Sequence, residues 1–310
     1  MSAPQAIVTG GAGFIGSHLV DALLADGYGV TVIDDLSSGD ARRVADAARL
    51  LELDIVDRVG VAAVIEEVKP ETVFHLAAQS SVVVSVENPG RDCEVNVQGT
   101  LNVVDGANKR NIPVVFTSTG GALYGDAAPR PTGEQQIPQP LSPYGASKLA
   151  GESYVGTWSR AEGVANAVCR LGNVYGPRQS PHGEAGVVSI FTHRLHTGQA
   201  PKLFGHGKPT RDYVYVGDVV SALRAAAHKA GTFNIATGVE TDVMTIWSEL
   251  SKVAGSEVQP ELADLRPGEL QHSRLDASLA ESELGWRPEV PIAEGLRKTY
   301  EALIEEFESR

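Results

Sequence analysis

The feature that most constrains this 310-residue chain is a glycine-rich turn close to its N-terminus. Gly10, Gly13 and Gly16 fall between an apolar run of strand type, residues 6–8, and a segment over residues 17–25 whose apolar side chains recur at helical spacing. A strand, turn and helix in this order let backbone N–H groups approach a pyrophosphate, whose charge the helix N-terminus favours. The spacing therefore predicts a dinucleotide site.

An acidic residue follows at the end of the next predicted strand. Residues 29–33 form an apolar run that ends at Asp34 and Asp35, at about the ~20-residue offset of dinucleotide folds. A carboxylate at this place accepts a hydrogen bond from the adenosine ribose and repels a 2′-phosphate. Since no arginine follows directly, we expect NAD rather than NADP.

Composition excludes several classes of function. Lys and Arg number 26 against 39 Asp and Glu, a net charge of −13, which disfavours nucleic acid and anionic membranes as partners. Two cysteines, Cys93 and Cys169, do not make a disulfide framework, and we expect both to be buried and unreactive. We expect no metal, because Cys and His are not clustered at ligand spacing. No signal pattern or membrane-length apolar run is present, so a cytoplasmic protein is expected.

Strands and helices alternate through the first half of the chain. Runs at 50–53, 72–78 and 113–118 are typical of strands, and the spacing at 59–68 and 89–110 predicts helices. This order indicates an α/β fold, a parallel sheet with helices on both faces, in which ligands bind beyond the carboxyl ends of the strands.

The second half is less regular. Its predicted helices are 142–162, 186–198, 218–229, 245–254, 277–284 and 292–306, and its predicted strands are 165–171, 202–204, 213–216 and 232–236. We expect Asp218 to cap the helix that it begins. Residues 126–143 are rich in proline and polar side chains, typical of a linker or of an ordered loop; their short length favours a loop over the site.

Tyr144 and Lys148 carry the predicted chemistry. They are four residues apart, so they share one face of a helix, and Thr119 ends a strand at the same edge of the sheet. A free tyrosine has a pKa of about 10, and a nearby ammonium group favours its phenolate form. Tyr144 can then remove the proton of a substrate hydroxyl while a hydride leaves the same carbon for NAD.

Several motifs together resemble the extended short-chain dehydrogenase/reductases, the NAD-dependent nucleotide-sugar epimerases and dehydratases. The motifs are TGGAGFIG at 9–16, LAA at 76–78, Asn96, Tyr144 with Lys148, and NVYGPR at 173–178. The resemblance covers essentially the whole chain. It is strongest to the bacterial UDP-glucose 4-epimerase group, through residues 118–122 and 177–188.

The resemblance implies a Rossmann-type doubly wound parallel sheet with a smaller, interleaved C-terminal domain for substrate. Residues 1–172 are expected to bind NAD, with 212–237 returning to that domain, and 173–211 with 238–310 are expected to bind the nucleotide sugar. The family also implies a homodimer, which pairs helices at 89–110 and 144–162, and a UDP-sugar substrate.

The resemblance also implies site residues. The catalytic residues are Thr119, Tyr144 and Lys148. Those implied for NAD, besides Tyr144 and Lys148, are Gly10, Gly13, Phe14, Ile15, Asp34, Leu36, Ser37, Ser38, Gly39, Asp54, Ile55, Leu76, Ala77, Ala78, Gln79, Asn96, Thr117 and Leu171. Those implied for the substrate, besides Thr119, are Gly120, Asn173, Val187, Val188, Lys202, Phe204, Arg211, Arg266, Glu269 and Ser273.

Four positions narrow the choice of reaction and substrate within the family. Gly120 and Gly121 stand where dehydratases of the family carry an acid pair, which disfavours dehydration. Ser180 stands where glucuronate 4-epimerases carry an arginine, which favours a neutral hexose. Ser273 replaces a bulky tyrosine of related epimerases and leaves room for N-acetylated sugars. A UDP-hexose 4-epimerase is therefore expected.

Four alternatives stay open. They are a UDP-glucuronate 4-epimerase or decarboxylase, another dehydratase of the family, a reductase that makes one hydride transfer, and a non-catalytic NAD-binding partner protein.

Overall fold

The computed structural model describes residues 3–181, 186–265 and 270–309. The strands are β1 Gln5–Thr9, β2 Gly29–Asp34, β3 Arg49–Glu52, β4 Thr72–His75, β5 Val114–Thr119, β6 Ala167–Leu171, β7 Asn173–Tyr175, β8 Lys202–Phe204, β9 Thr210–Tyr215, β10 Gly231–Ile235, β11 Glu240–Asp242 and β12 Glu261–Ala263. The helices are α1 Phe14–Ala25, α2 Arg58–Val68, α3 Val82–Glu87, α4 Pro89–Cys93, α5 Thr100–Asn108, α6 Pro143–Glu162, α7 Val187–His196, α8 Val216–Ala225, α9 Val243–Ala254, α10 Ser278–Leu284 and α11 Ile292–Glu308.

Seven parallel strands form the main sheet, in the order β10-β6-β5-β4-β1-β2-β3. Side chains alternate across it: Ala6 and Val8 belong to the core under α1, α8 and α10, whereas Ile7 belongs to the core under α2, α5 and α6. Both faces of the sheet are thus covered by helices, which fits its continuous apolar strands. The predicted Rossmann-type α/β fold is confirmed, and every strand of this sheet sends its carboxyl end to one edge.

The strands that do not belong to the main sheet form a smaller layer. Strand β9 pairs in parallel with β7 and antiparallel with β11, and β8 pairs with β12. Helices α7, α9 and α11 pack on one another beside these strands. Their shared core contains Ile246 and Leu250, both fully buried, and an edge-to-face pair of Phe191 and Trp247 with ring centroids 5.3 Å apart. Strand β10 returns from this layer to the edge of the main sheet.

Two predicted elements in the first half differ from the structure. The predicted helix over 89–110 is interrupted by a π-helical turn, Glu94–Gly99, between α4 and α5. The strand predicted over 72–78 ends at His75. Beyond it the Leu76 N–H donates to the Thr9 carbonyl, and the Ala77 N–H donates to the Thr9 hydroxyl oxygen and not to a backbone carbonyl.

Two predictions about single residues were wrong. Helix α8 begins at Val216 with Tyr215 at its N-cap, so Asp218 lies inside the first turn, where its Oδ2 accepts the Val290 N–H at 3.0 Å. Cys93 is exposed at the end of α4. Cys169 is buried as expected, and burial raises the pKa of its thiol to about 12.

The segment over residues 126–143 is an ordered loop, as predicted. The Thr132 N–H donates to the Arg274 carbonyl and the Asp276 N–H to the Thr132 carbonyl, both at 2.9 Å. At its far end the Gln139 N–H donates to the Leu123 carbonyl at 2.9 Å. These bonds fasten the loop to the segment before α10 and to the stretch that follows β5.

Two features are absent from the described ranges. None of their helices combines the length and the apolar character that crossing a membrane requires. In the same ranges, His, Cys, Asp and Glu form no group of three that could hold a metal ion.

The core of the smaller layer gives a stability test with a matched control. Leu250→Ala removes a fully buried side chain and leaves a cavity, so the free energy of unfolding should fall by about 2–5 kcal/mol. Leu262→Ala makes the same change at a side chain that is 54% exposed and should stay within about 0.5 kcal/mol of the parent. Denaturant unfolding measures both, and equal losses would contradict this assignment of the core.

Candidate active site

The glycine-rich turn joins β1 to α1 and has the form that a pyrophosphate requires. Gly10 adopts φ +72°, and a Cβ atom there would lie 2.6 Å from the backbone nitrogen of Ala77. Gly13 is the N-cap of α1, and its N–H donates to the Gly10 carbonyl at 3.1 Å. Phe14 and Ile15 form the first turn of the helix. The turn therefore presents a bare backbone and the positive end of a helix dipole.

Asp34 ends β2 directly beside this turn. Its Oδ2 accepts the Ala12 N–H and its Oδ1 accepts the Leu36 N–H, both at 2.9 Å. Burial raises the pKa of Asp34, and these two hydrogen bonds oppose that effect. Each oxygen keeps a second lone pair, which is what a ribose hydroxyl needs. A Cβ atom on Gly39 would lie 2.7 Å from Oδ1, so the segment that carries Ser37 and Ser38 packs tightly over the carboxylate.

The residues expected near adenine lie at the next strand end, after β3. Asp54 accepts the Val56 N–H at 2.9 Å and forms an ion pair with Arg91 at 2.9 Å. Ile55 is buried, and a Cβ atom on Gly99 would lie 2.6 Å from its Cδ1. The π-helical turn that contains Gly99 therefore packs closely against this strand end.

Asn96 projects from the same turn and is buried. Its Oδ1 accepts the Gln79 N–H and its Nδ2 donates to the Gln79 carbonyl, both at 2.9 Å. Nδ2 also lies 3.1 Å from the Asp92 Oδ1 and from the Ser147 Oγ of α6. Asn96 thus ties the loop after β4, which carries Leu76, Ala77 and Ala78, to the helix that carries Tyr144.

Thr119 and Tyr144 come together where β5 meets α6. Ser142 caps α6 by accepting the Gly145 N–H at 3.1 Å, so Tyr144 lies in the first turn. Thr119 Oγ1 accepts the Ala122 N–H at 3.2 Å. Burial raises the pKa of Tyr144 to about 12, and a hydrogen bond with Thr119 acts in the opposite direction. Tyr144 alone is therefore a protonated phenol at neutral pH.

Lys148 is the cation of the site, one helical turn beyond Tyr144, and is only 3% exposed. Its Nζ lies 4.4 Å from the centroid of the Phe116 ring. Burial lowers the pKa of Lys148 to about 8, which still leaves most of the group charged at pH 7. His75, held between the hydroxyls of Thr9 at 2.7 Å and Thr100 at 2.9 Å, is neutral because burial lowers its pKa to about 3.

The carboxyl ends of β5 and β6 complete this edge. The Thr117 hydroxyl donates to the His75 carbonyl at 3.2 Å, and the Gly120 N–H donates to the Leu171 carbonyl at 2.8 Å. A small pocket opens beside Thr119. It is lined by Gly120, Gly121, Tyr124, Gly125, Ala128, Arg130, Thr132, Leu270, His272, Ser273 and Leu275.

The residues predicted to bind the substrate fall into two groups. Arg266 and Glu269 belong to neither group, because they lie outside the described residues. Gly120 and Ser273 share the small pocket. The others lie on the smaller layer: Asn173 on β7, Val187 and Val188 in the first turn of α7, Lys202 and Phe204 on β8, and Arg211 on β9. Val188 is 1% exposed and packs in the core of that layer.

Two features of the site escaped the sequence analysis. His75 lies between Thr9 and Thr100, which are distant from it in the chain, and no local sequence pattern predicts these two contacts. Glu152 and Arg170 form a buried ion pair at 2.7 Å. Glu152 follows Lys148 by four residues, so helical spacing gave a usable signal for that half of the pair.

Comparison with known proteins decides the family. Residues 6–236 match the model of the NAD dependent epimerase/dehydratase family. The chain belongs to this family. The predicted cofactor, NAD, is thereby confirmed, and the glycine turn, the α1 N-terminus and Asp34 have the features that hold it.

Relatives of this epimerase/dehydratase match nearly end to end. The chain is 45% identical over 306 residues to a UDP-glucose 4-epimerase of Mycolicibacterium smegmatis, covering 96% of this chain and 97% of the relative. The Thermotoga maritima UDP-glucose 4-epimerase, solved with UDP-glucose, superposes with a TM-score of 0.95 at 43% identity and covers 98% and 99% of the two chains. The Thermus thermophilus UDP-glucose 4-epimerase, solved with NAD, gives 0.90 at 41% identity over 97% and 99%. The expected resemblance is confirmed.

The glycine turn gives a prediction about NAD retention. Gly10→Ala places a methyl group against the Ala77 backbone where the pyrophosphate is expected, so the purified protein should retain less NAD. Gly27→Ala is the matched control, because Gly27 also has positive φ, +86°, but faces open space. NAD released on denaturation is measured by absorbance. Equal retention in the two variants would contradict the assigned role of the turn.

Proposed function

We propose that this protein is a UDP-hexose 4-epimerase, which interconverts UDP-glucose and UDP-galactose through a transient 4-keto sugar. The observation that carries the proposal is the hydrogen-bonded pair of Thr119 and Tyr144, with buried Lys148 one helical turn away. The pair lies next to a pocket lined by Gly120 and Gly121. The proposal is supported by relatives and solved structures that are UDP-glucose 4-epimerases and that match this chain over nearly their whole length.

Tyr144 is assigned the proton transfer. A phenol whose pKa is raised to about 12 needs a cation close by to act as a base, and Lys148 supplies it from the next helical turn. The Thr119 hydroxyl bridges Tyr144 and the hydroxyl on carbon 4 of the sugar, so that the proton passes to Tyr144. NAD, held at the glycine turn and Asp34, would supply the redox chemistry, which is uptake of the carbon 4 hydride and its return to the other face of the sugar.

Gly120 and Gly121 suit epimerisation. Neither carries a group that could protonate a leaving hydroxyl, so the floor of the pocket does not support dehydration. A side chain at Gly120 would collide with Leu275, whose Cδ2 would lie 3.1 Å from its Cβ atom. A Cβ atom on Gly121 would meet only Asn173 Oδ1, at 3.4 Å, and the space on that side is assigned to the 4-keto sugar as it turns between its two faces.

The nucleotide is assigned to the smaller layer. Asn173, Val187, Val188, Lys202, Phe204 and Arg211 are proposed to hold uridine and the diphosphate together with Arg266 and Glu269. In this scheme residues 1–172 and 212–237 bind NAD, and 173–211 with 238–310 bind the UDP-sugar. We further propose a homodimer that pairs the helices within 89–110 and 144–162.

The direct test is incubation of the purified protein with UDP-galactose and no added NAD. UDP-glucose should form, because the cofactor is regenerated in each cycle and need not leave. Tyr144→Phe removes the proton acceptor and should lower the rate by about 10²-fold or more. Stoichiometric release of NADH would instead indicate a reductase, and a failure to convert UDP-galactose even with NAD would favour a uronic acid substrate.

The role of Lys148 predicts a specific pH dependence. Lys148→Met removes the cation that favours the phenolate and should lower the rate at pH 7 by about 10²–10⁴-fold. The lost rate should return as the pH rises, roughly tenfold per unit, because the phenolate then forms without assistance. Lys252→Met, at an exposed lysine of α9, is the control. A loss that does not vary with pH would contradict this role.

The second candidate activity is epimerisation of UDP-N-acetylhexosamines. Ser273 lines the small pocket beside Gly120, and its N–H donates to the Thr210 carbonyl at 3.2 Å, which fixes its position. Ser273→Tyr should fill that space, lower kcat/KM for UDP-N-acetylglucosamine by about tenfold or more, and spare UDP-galactose. Equal loss for both substrates would refute the idea, and Ser256→Tyr at the end of α9 controls for the added tyrosine.

A further inference from the structure

A buried ion pair lies one helical turn beyond Lys148. The side chains of Arg170 on β6 and Glu152 on α6 are only 8% and 7% exposed. Arg170 Nε lies 3.0 and 3.2 Å from the two carboxylate oxygens, and Nη2 donates to Oε2 at 2.7 Å. Desolvating two charges is costly, so a pair this deep persists only where its hydrogen bonds are met.

The carboxylate of this pair acts on Lys148. Tyr144, Lys148 and Glu152 are spaced by four residues and share one face of α6. Lys148 is influenced by Glu152 from its own helix and by Asp92 from α4, whereas His75 on β4 is neutral and β5 presents the Phe116 ring. Both carboxylates oppose the effect of burial on the pKa of Lys148, Glu152 more strongly.

The other side of the guanidinium reaches the pocket wall. Arg170 Nη1 donates to the Tyr124 hydroxyl at 2.7 Å and to the Glu134 carbonyl at 3.2 Å. The Tyr124 hydroxyl donates to Asn234 Oδ1 at 3.1 Å, and Asn234 Nδ2 donates to the Thr132 carbonyl at 3.0 Å. Tyr124 and Thr132 both line the small pocket beside Thr119. One chain of buried hydrogen bonds thus joins α6 to the wall of the pocket.

We propose that Glu152 and Arg170 are positioning residues of the reaction, Glu152 by keeping the Lys148 ammonium charged and Arg170 by fixing the pocket wall through Tyr124. Where turnover is the readout, the proposal rests on the proposed epimerase function. Neither residue lines the small pocket; Glu152 acts through Lys148 and Arg170 acts through Tyr124.

The charge role is tested with Glu152→Gln combined with Arg170→Gln. The double variant removes both charges together, because Glu152→Gln alone would leave a buried guanidinium without its counter-ion. The alkaline limb of kcat, the fall of kcat at high pH as Lys148 loses its proton, should move to lower pH. Each pH unit of this displacement lowers kcat at pH 9 by about tenfold. At pH 6.5 kcat should stay near the parent value. Glu152→Asp keeps the charge and should keep the limb in place.

Circular dichroism and retained NAD verify that the double variant is folded. A folded variant whose alkaline limb stays at the parent pH would overturn the charge role and leave the pair a purely structural feature.

The wall role is tested with Tyr124→Phe, which deletes the hydroxyl between Arg170 and Asn234. The KM for UDP-galactose should rise several-fold, while the alkaline limb of kcat stays in place. Tyr28→Phe, a partly buried tyrosine that packs on the core remote from α6, is the matched control and should leave both unchanged. An unchanged KM in Tyr124→Phe would overturn the wall role.

A direct titration separates failure of this proposal from failure of the proposed function. The Nζ of Lys148 is followed by ¹⁵N NMR in the protein as purified, with Lys148→Arg assigning the signal. If no UDP-sugar is turned over, the epimerase proposal fails, but a lower titration midpoint in the double variant still supports the role of Glu152. An unmoved midpoint overturns it.

Discussion

The buried Lys148 ammonium and the partly buried Tyr144 phenol, one helical turn apart, are the two groups on which the proposed chemistry depends. Burial disfavours the charge of Lys148 and the phenolate of Tyr144 at the same time, lowering one pKa to about 8 and raising the other to about 12. The proposed mechanism requires both groups on one helix face, where the ammonium would favour the phenolate. The surroundings accordingly supply carboxylates, Glu152 and Asp92, that favour the ammonium, and keep His75 neutral.

The parallel sheet explains why these groups meet. Strands β1, β2, β4, β5 and β6 all end at one edge, and each contributes a part of the site there. β1 leads into the glycine turn, β2 ends at Asp34, and β5 ends at Thr119. Asn96 and Arg170 then fasten α6 to the loops at this edge, Asn96 through Ser147 and Arg170 through Glu152.

Local patterns made the strands, the glycine turn, Asp34 and the Tyr144–Lys148 face predictable from sequence. Each depends on spacing within one element or between neighbours, which the sequence displays directly. The hydrogen-bond partners Thr100 and Thr9 lie 25 and 66 residues from His75 in the sequence. Glu152 and Tyr124 lie 18 and 46 residues from Arg170. Only the folded sheet brings these residues together. The burial predicted for Cys93 failed because this residue ends a short helix beside the exposed Glu94, whose charge favours solvent on that side.

In the proposed epimerisation, carbon 4 of the sugar loses and regains the same hydride. The most direct test is turnover of UDP-galactose that carries deuterium at carbon 4, with the product examined by mass spectrometry and NMR. UDP-glucose that keeps the deuterium at carbon 4 is expected, because the hydride returns to the sugar from which it came. Loss of the label to water would show that carbon 4 is inverted through a proton, and would contradict the mechanism assigned to Tyr144, Lys148 and NAD.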